Sequence, residues 1–325
     1  MILCVTPNPA IDRTLLVRGH AQGGTLRTQE TVVVAGGKGI NVARTIKLLG
    51  ASSTCAGFIA GHSGSFIADY IRDEGMASAW TWLKKGESRS CIIIIDPETG
   101  LTAVVNETGP QLIHADWKQF EADILKAAES VNTICFCGSV PPSLDLKVYE
   151  DILRQLCNAG KSVWVDTSGD ALNMAASVTG IRLKVNSEEA GEMLDTLITS
   201  VDSAVEAVRK LSERTSAPVA ITMGAVGAVY TDCQDVWYAA PPEVNVKNVV
   251  GSGDAFLAAL LVAHEKGESA GDALKQAVAV GAAKAAAIST SQFTLDDIQR
   301  ILSDTQLRDL NHRDAEDTEK NRSDK

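Results

Sequence analysis

The stretch VVGSGDAFLAALLVAHEKG, Val249 to Gly267, places two glycines, a serine and an acid at the mouth of an apolar helical pattern. A helix N-terminus carries unpaired N–H groups and about half a positive charge, so it attracts anions. Gly251 and Gly253 let the main chain approach an anion with no Cβ in the way. Asp254 stands at the helix start, close enough to touch a hydroxyl beside that anion. The combination suits phosphoryl transfer: the carboxylate takes an alcohol's proton, while the amides of Gly251, Ser252 and Gly253 stabilise charge on the migrating group. The plainer alternative is that Asp254 caps the helix.

A second glycine turn, GGKGINVA from Gly36 to Ala43, also feeds a helical pattern and carries Lys38. It is not a P-loop, because the spacing before Gly-Lys is missing and Gly39 stands where Ser or Thr would hold magnesium. Such a turn fits a sugar hydroxyl or a phosphate; its glycines could instead serve helix–sheet packing. None of the five histidines sits in a catalytic setting, which leaves a serine–histidine hydrolase without support. The net charge of −11 argues against a broad nucleic-acid or anionic-membrane surface. A bound phosphate must therefore be held locally. Seven scattered cysteines, an odd number, fit a reduced, cytoplasmic protein. Cys135 and Cys137 read as alternate positions on a buried strand rather than a metal pair. The chain opens without a signal-peptide pattern, and no run of about 18 apolar residues marks a membrane span.

These residues must be positioned by elements that the chain announces as an alternation. MILCVT, STCAGFI, NTICFCG, KSVWVD, IRLKVN and PVAITMG read as strands. Helix-period segments lie between most of them, closed by glycines such as Gly50. The pattern predicts an α/β fold with a mostly parallel sheet covered on both faces. Ligands of such sheets sit at the carboxyl ends of the strands, which lines up Asn8, Gly138, Asp166, Asn186 and Gly224 on one edge. Residues 10–35 and 89–108 break the rhythm with four strands and no helix, the second pair a hairpin around Pro97 and Gly100. They predict a small sheet lying over the site as a lid, on a core of residues 1–9, 36–88 and 109–305. The lid's uncovered face needs a partner, which suggests a homodimer. Residues 306–325 contain almost nothing apolar and are expected to form a disordered tail.

TPNPAID, GGKGINVA, GSVPPS, VDTSG, LKVNSEE, TMGAVGAV and VVGSGDA, in this order, resemble the ribokinase-like sugar kinases of the phosphofructokinase B type. Within that family the likeness is closest to the tagatose-6-phosphate kinase and 1-phosphofructokinase branch, over residues 1–305. The resemblance implies a three-layer α/β/α domain with a β-sheet lid, ATP as phosphoryl donor and Mg2+. It makes Asp254 the catalytic base and the amides of Gly251, Ser252 and Gly253 the anion hole. It assigns Asp12, Gly37, Asn41 and Ser139 to the sugar, and Arg27, Lys38 and Arg89 to a phosphate already on the substrate. Lys184, Asn186, Thr222, Gly224 and Gly227 fall on the nucleotide side. Asn186 and Glu189 form the pattern linked to magnesium through water, although acids there could equally serve a helix start. Val185, Val249 and Ala255 depart from the family's usual residues, and Lys284 comes near the expected adenine pocket. The implied activity is ATP-dependent phosphorylation of a ketohexose phosphate to a hexose bisphosphate. A kinase for a neutral sugar or nucleoside and a non-catalytic sugar-phosphate sensor are the alternatives.

Overall fold

The computed structural model describes residues 1–19, 25–143, 145–287 and 293–311. At its centre lies β1 (Ile2–Val5), apolar along its whole length because both faces are covered. Alternation divides it: Ile2 and Cys4 join one apolar cluster, Leu3 and Val5 the other.

Parallel strands flank β1 on both sides. On one side stand β4 (Ser53–Ile59) and β5 (Ala77–Trp82); on the other stand β8 (Thr133–Cys137), β9 (Ser162–Asp166), β10 (Arg182–Asn186) and β11 (Val219–Thr222). An antiparallel edge of β12 (Ala228–Thr231), β13 (Val236–Ala240) and β14 (Gln306–Asp309) completes the sheet. Helices α1 (Lys38–Leu48), α2 (Gly61–Asp73), α8 (Ser252–Glu265), α9 (Ala270–Ala285) and α10 (Leu295–Asp304) contribute to the first cluster. Helices α3 (His114–Ala128), α4 (Leu146–Asn158), α5 (Gly169–Ala175), α6 (Ser187–Leu194) and α7 (Val201–Thr215) contribute to the second. The three-layer α/β/α arrangement read from the sequence is present. Helix α8 is buried continuously from Asp254 to Ala263, which is why its sequence is apolar on every face.

A separate sheet has the order β3 (Glu30–Gly36), β2 (Ala10–Leu16), β6 (Arg89–Ile95) and β7 (Thr102–Asn106). Strand β2 pairs antiparallel with β3 and parallel with β6, so Ala10, Gly36 and Arg89 meet at one end. Strands β6 and β7 form the hairpin expected around Gly100, which takes a left-handed φ of 73°.

The structure departs from the sequence pattern at three places. Strand β5, ASAWTW, pairs along its whole length with β4. Strands β12 and β13 turn the expected parallel edge antiparallel. The third departure falls in the expected tail, where residues 306–309 form β14 against β13. Backbone hydrogen bonds supply that ladder whatever the side chains are. Leu310, 6% exposed, adds a buried apolar anchor, and its N–H donates to the carbonyl of Val236. Residues 312–325 of the expected tail lie outside the described residues. A chain ending at Asp304 is expected to be about 2–3 kcal/mol less stable in urea than one ending at Asn311. Equal midpoints and slopes for the two chains would show that β14 contributes nothing to the fold.

Candidate active site

The carboxyl ends of the parallel strands carry a buried charge cluster centred on Asp166, the last residue of β9 and 0% exposed. Lys38, which opens α1, donates from Nζ to Asp166 Oδ1 at 2.7 Å. Lys184, on the neighbouring β10, donates from Nζ to Oδ2 at 2.9 Å. Burial opposes ionisation of this carboxyl, yet the charges of Lys184 and Lys38 and their hydrogen bonds hold it below the usual aspartate range. Burial likewise opposes the Lys38 ammonium, and Asp166 more than reverses this, raising Lys38 above its ordinary value. The Lys38 side chain keeps 39% exposure and so faces open space on its other side.

Helix α8 starts beside this cluster. Gly251 precedes it with φ 82°, a left-handed conformation that favours glycine. A Cβ on Gly253 would come within 2.8 Å of Lys184 Nζ, so a larger residue there would displace the ammonium from its place against the first turn. Asp254 does not cap the helix: α8 has no side-chain cap bond, and the carboxylate accepts instead from Asn41 Nδ2 at 2.9 Å. Burial first, then the negative charge of Asp166, push Asp254 up to about 6, while Lys38, the Asn41 bond and Lys184 hold it down. A carboxylate so placed is ionised at neutral pH and is a competent proton acceptor.

Asp12, on β2, is brought to the same place. A Cβ on Gly36 would fall 2.0 Å from Asp12 Oδ2, so the second glycine turn is shaped around that acid. Asp12 is also pushed up to about 6, by burial and by Asp254, against the pull of Arg89 and Arg44. Its carboxylate accepts no hydrogen bond among the described residues. Arg89 stands at the end of β6, donating from Nε to the carbonyl of Asn8 at 3.0 Å and from NH1 to that of Glu107 at 3.3 Å. It enters no ion pair among the described residues. Asn8 is buried with Oδ1 unpartnered, while its Nδ2 donates to Thr108.

Beside the start of α8 lies a cleft of about 640 Å³, lined by Thr222, Gly224, Gly227, Ser252 and Gly253 and by apolar Val249, Phe256, Val278 and Ala282. Gly227, φ 114°, closes the turn between β11 and β12; a Cβ there would meet the Ala239 carbonyl at 2.1 Å. Lys284 does not line this wall. It is fully buried behind it, donating from Nζ to the carbonyl of Asn248 at 3.3 Å. Lys284, expected near the adenine pocket, is thus absent from the lining of this cleft.

Other expected residues are placed differently. Asn186 and Glu189 form a capping box at the start of α6: Glu189 N–H donates to Asn186 Oδ1 at 2.8 Å, and Asn186 N–H to Glu189 Oε2 at 2.9 Å. Ser139 is exposed just beyond Gly138, whose N–H donates to the Asp166 carbonyl at 2.8 Å. Gly37, φ 120°, precedes α1 and packs against Thr6. Arg27 does not join the cluster. It is exposed beyond the Leu16–Glu30 end of the second sheet, and the length of β3, roughly 20 Å, separates that end from Gly36. Asp166 and Arg44, which the motifs left without a role, prove to be central. The first was signalled by its place at the carboxyl end of the apolar run KSVWVD, on the edge where ligands sit, and in the motif VDTSG.

A family model for pfkB family carbohydrate kinases matches residues 3–297. The chain belongs to the pfkB family of carbohydrate kinases. It is 31% identical to 1-phosphofructokinase of Bacillus subtilis over 94% of this chain and 99% of that one. It is 26% identical to tagatose-6-phosphate kinase of Staphylococcus epidermidis, again over 94% and 99%. Escherichia coli phosphofructokinase-2, in complex with substrates and products, superposes with a TM-score of 0.85 at 25% identity, over 93% and 98% of the two chains. As a carbohydrate kinase it is a phosphotransferase with an alcohol group as acceptor, and its family implies ATP as a substrate. Among the described residues no helix is long and apolar enough to cross a membrane, and all seven cysteines are free thiols.

Two outcomes follow from the charge cluster. Asp166→Ala strands a buried ammonium and is expected to cost about 3–5 kcal/mol in urea unfolding at pH 7; an unchanged midpoint would mean that the lysines find other acceptors. Asp254 has a folded pKa above its ordinary 3.8, so its contribution to stability is full below about pH 4 and lost as pH rises through about 6. Asp254→Asn is therefore expected to be more stable than the parent at pH 8, by roughly 3 kcal/mol. That gap should close below pH 4 in unfolding titrations.

Proposed function

We propose that this kinase transfers the γ-phosphoryl group of ATP to a free hydroxyl of a ketohexose phosphate, giving a hexose bisphosphate. The observation that carries the reading is the placement of Asp254. It is buried to 5% exposure at the glycine turn whose Ser252 and Gly253 line the cleft, is charged at neutral pH, and lies near enough to Asp12 to raise that acid's pKa. ATP occupies the cleft, its adenine against the apolar wall and its phosphates toward Gly224, Ser252 and Gly253. The sugar lies on the other side, a hydroxyl on the unpartnered Asp12 carboxylate and its phosphate on Arg89. Asp254 takes the proton of the attacking hydroxyl. The N–H groups of the α8 turn, with the outward side of Lys38, stabilise charge on the migrating group.

A phosphorylated substrate is favoured because Arg89 brings a half-buried guanidinium, outside any ion pair among the described residues, into a chain of net charge −11. The named relatives act on sugar phosphates and support the same choice. Mg2+ suits the donor set. Among the described residues no cluster of three or more metal-ligating side chains forms a protein cage, as fits an ion carried by nucleotide phosphates and water. Asn186 and Glu189 would hold it through water, and it would neutralise phosphate charge. The second sheet serves as a lid over the sugar, excluding water that would compete as acceptor. It leaves Val32 and Val104 exposed on the face that carries Asp12 and Val105 exposed on the opposite face, apolar surface that favours a homodimer through this sheet in a cytoplasmic enzyme.

ADP release measured with fructose 1-phosphate, tagatose 6-phosphate, fructose 6-phosphate and unphosphorylated sugars tests the reading. At least one ester should turn over far faster than any neutral sugar; preference for a neutral sugar would overturn it. Asp254→Asn is expected to lower kcat roughly 100- to 10,000-fold with both substrates still bound. Arg89→Ala should raise KM for the sugar ester at least about tenfold and change kcat less.

A further inference from the structure

A chain of side chains runs from the end of α2 to Asp254. Arg44, on α1 and 11% exposed, donates from Nε to both carboxylate oxygens of Glu74 at 2.9 Å. Its guanidinium lies 5.7 Å from the centre of the Tyr70 ring. Glu74 closes α2, so Arg44 is gripped by an element outside its own helix. From NH1 it donates to Asn41 Oδ1 at 3.3 Å, and Asn41 Nδ2 donates to Asp254 Oδ2 at 2.9 Å. Asn41 and Arg44 are one helical turn apart, which is what lets the two side chains meet.

An asparagine amide can turn over and exchange its oxygen and nitrogen, and only its partners decide the orientation. A guanidinium offers donors alone, and an ionised carboxylate accepts alone. Held between the two, the amide has one satisfactory orientation: oxygen to Arg44, NH2 to Asp254. Without Arg44 it is free to present its oxygen to Asp254, an arrangement that suits the protonated acid. We infer that Arg44 is a positioning residue that locks the Asn41 amide with its NH2 toward Asp254, keeping that acid in its proton-accepting form. The inference rests on the reading of Asp254 as the base.

Other groups also face Asp254 and would remain when Arg44 is changed. They are Lys38 on α1, Asp12 on β2, Cys137 on β8, Asp166 on β9, Lys184 on β10 and Lys284 on α9. Arg44 also acts through its charge on Asp12, so the experiment must separate a path through the amide from a direct field.

The measurement is the pH profile of kcat/KM for the full-length enzyme with its best ester, for the parent, Arg44→Met, Asn41→Ala and the double variant. Arg44→Met is expected to move the acid limb up by about one pH unit, leaving about a fifth of parental activity near pH 6 and most of it at pH 8.5. In the Asn41→Ala background the same change should leave the limb where it is. An equal shift in both backgrounds would assign the effect to the field of Arg44 and overturn the inference. A lower kcat with an unmoved limb would do the same, since a merely structural role predicts that result. If Arg44→Met does not fold, Arg44→Lys keeps a charged donor without the paired grip on Glu74. Its limb should move less, in the same direction, and an unmoved limb counts against the inference. Failure of the base assignment itself is distinguishable: Asp254→Asn would then retain near-parental activity.

Discussion

The site depends on one buried carboxylate. Asp166 is fully enclosed at the end of β9, and its charge is tolerated because two ammoniums, Lys38 and Lys184, each take one of its oxygens. This triad ties the start of α1 to the middle of the parallel sheet and sets the height at which the first turn of α8 can pass. Gly253 lies directly against Lys184, and a larger residue there would push the ammonium aside. A buried charge of this kind is a weak source of net stability but a strong constraint on geometry, because every alternative packing leaves an ion unpaired.

The same triad sets the electrostatics around Asp254. Asp166 repels a second negative charge, and burial disfavours it further; both act to protonate Asp254. Lys38, Lys184 and the Asn41 amide oppose them. The balance leaves an acid ionised at neutral pH yet far more basic than an exposed aspartate, which is the compromise a general base requires. Asp12 is poised in the same range by a parallel contest between burial and two arginines.

The second sheet is coupled to this centre through its end rather than its length. Ala10, Gly36 and Arg89 sit together where β2, β3 and β6 meet the core. There Gly36 is shaped around Asp12, and Arg89 is held by the carbonyls of Asn8 and Glu107. A movement of the sheet about this end would carry Asp12 and Arg89 with it.

What the sequence determined by itself is whatever chemistry is local: glycines flanking an acid at a helix start, strands announced by apolar runs, and a hairpin announced by its turn residues. Asp254, Gly251 and Gly253 were legible for that reason. The role of Asp166 was not, because it arises from lysines 128 and 18 residues away in the chain. Nor was the role of Arg44, whose partners come from α2 and whose effect on Asp254 passes through an amide. Strand β14 was hidden because its pairing uses backbone groups that every sequence possesses. Likewise, nothing in the local pattern could tell that Lys284 lies behind the cleft or that Arg27 stands far along β3 from the site. Tertiary structure alone decided these points, because burial and charge pairing depend on neighbours that the fold brings together from distant parts of the chain.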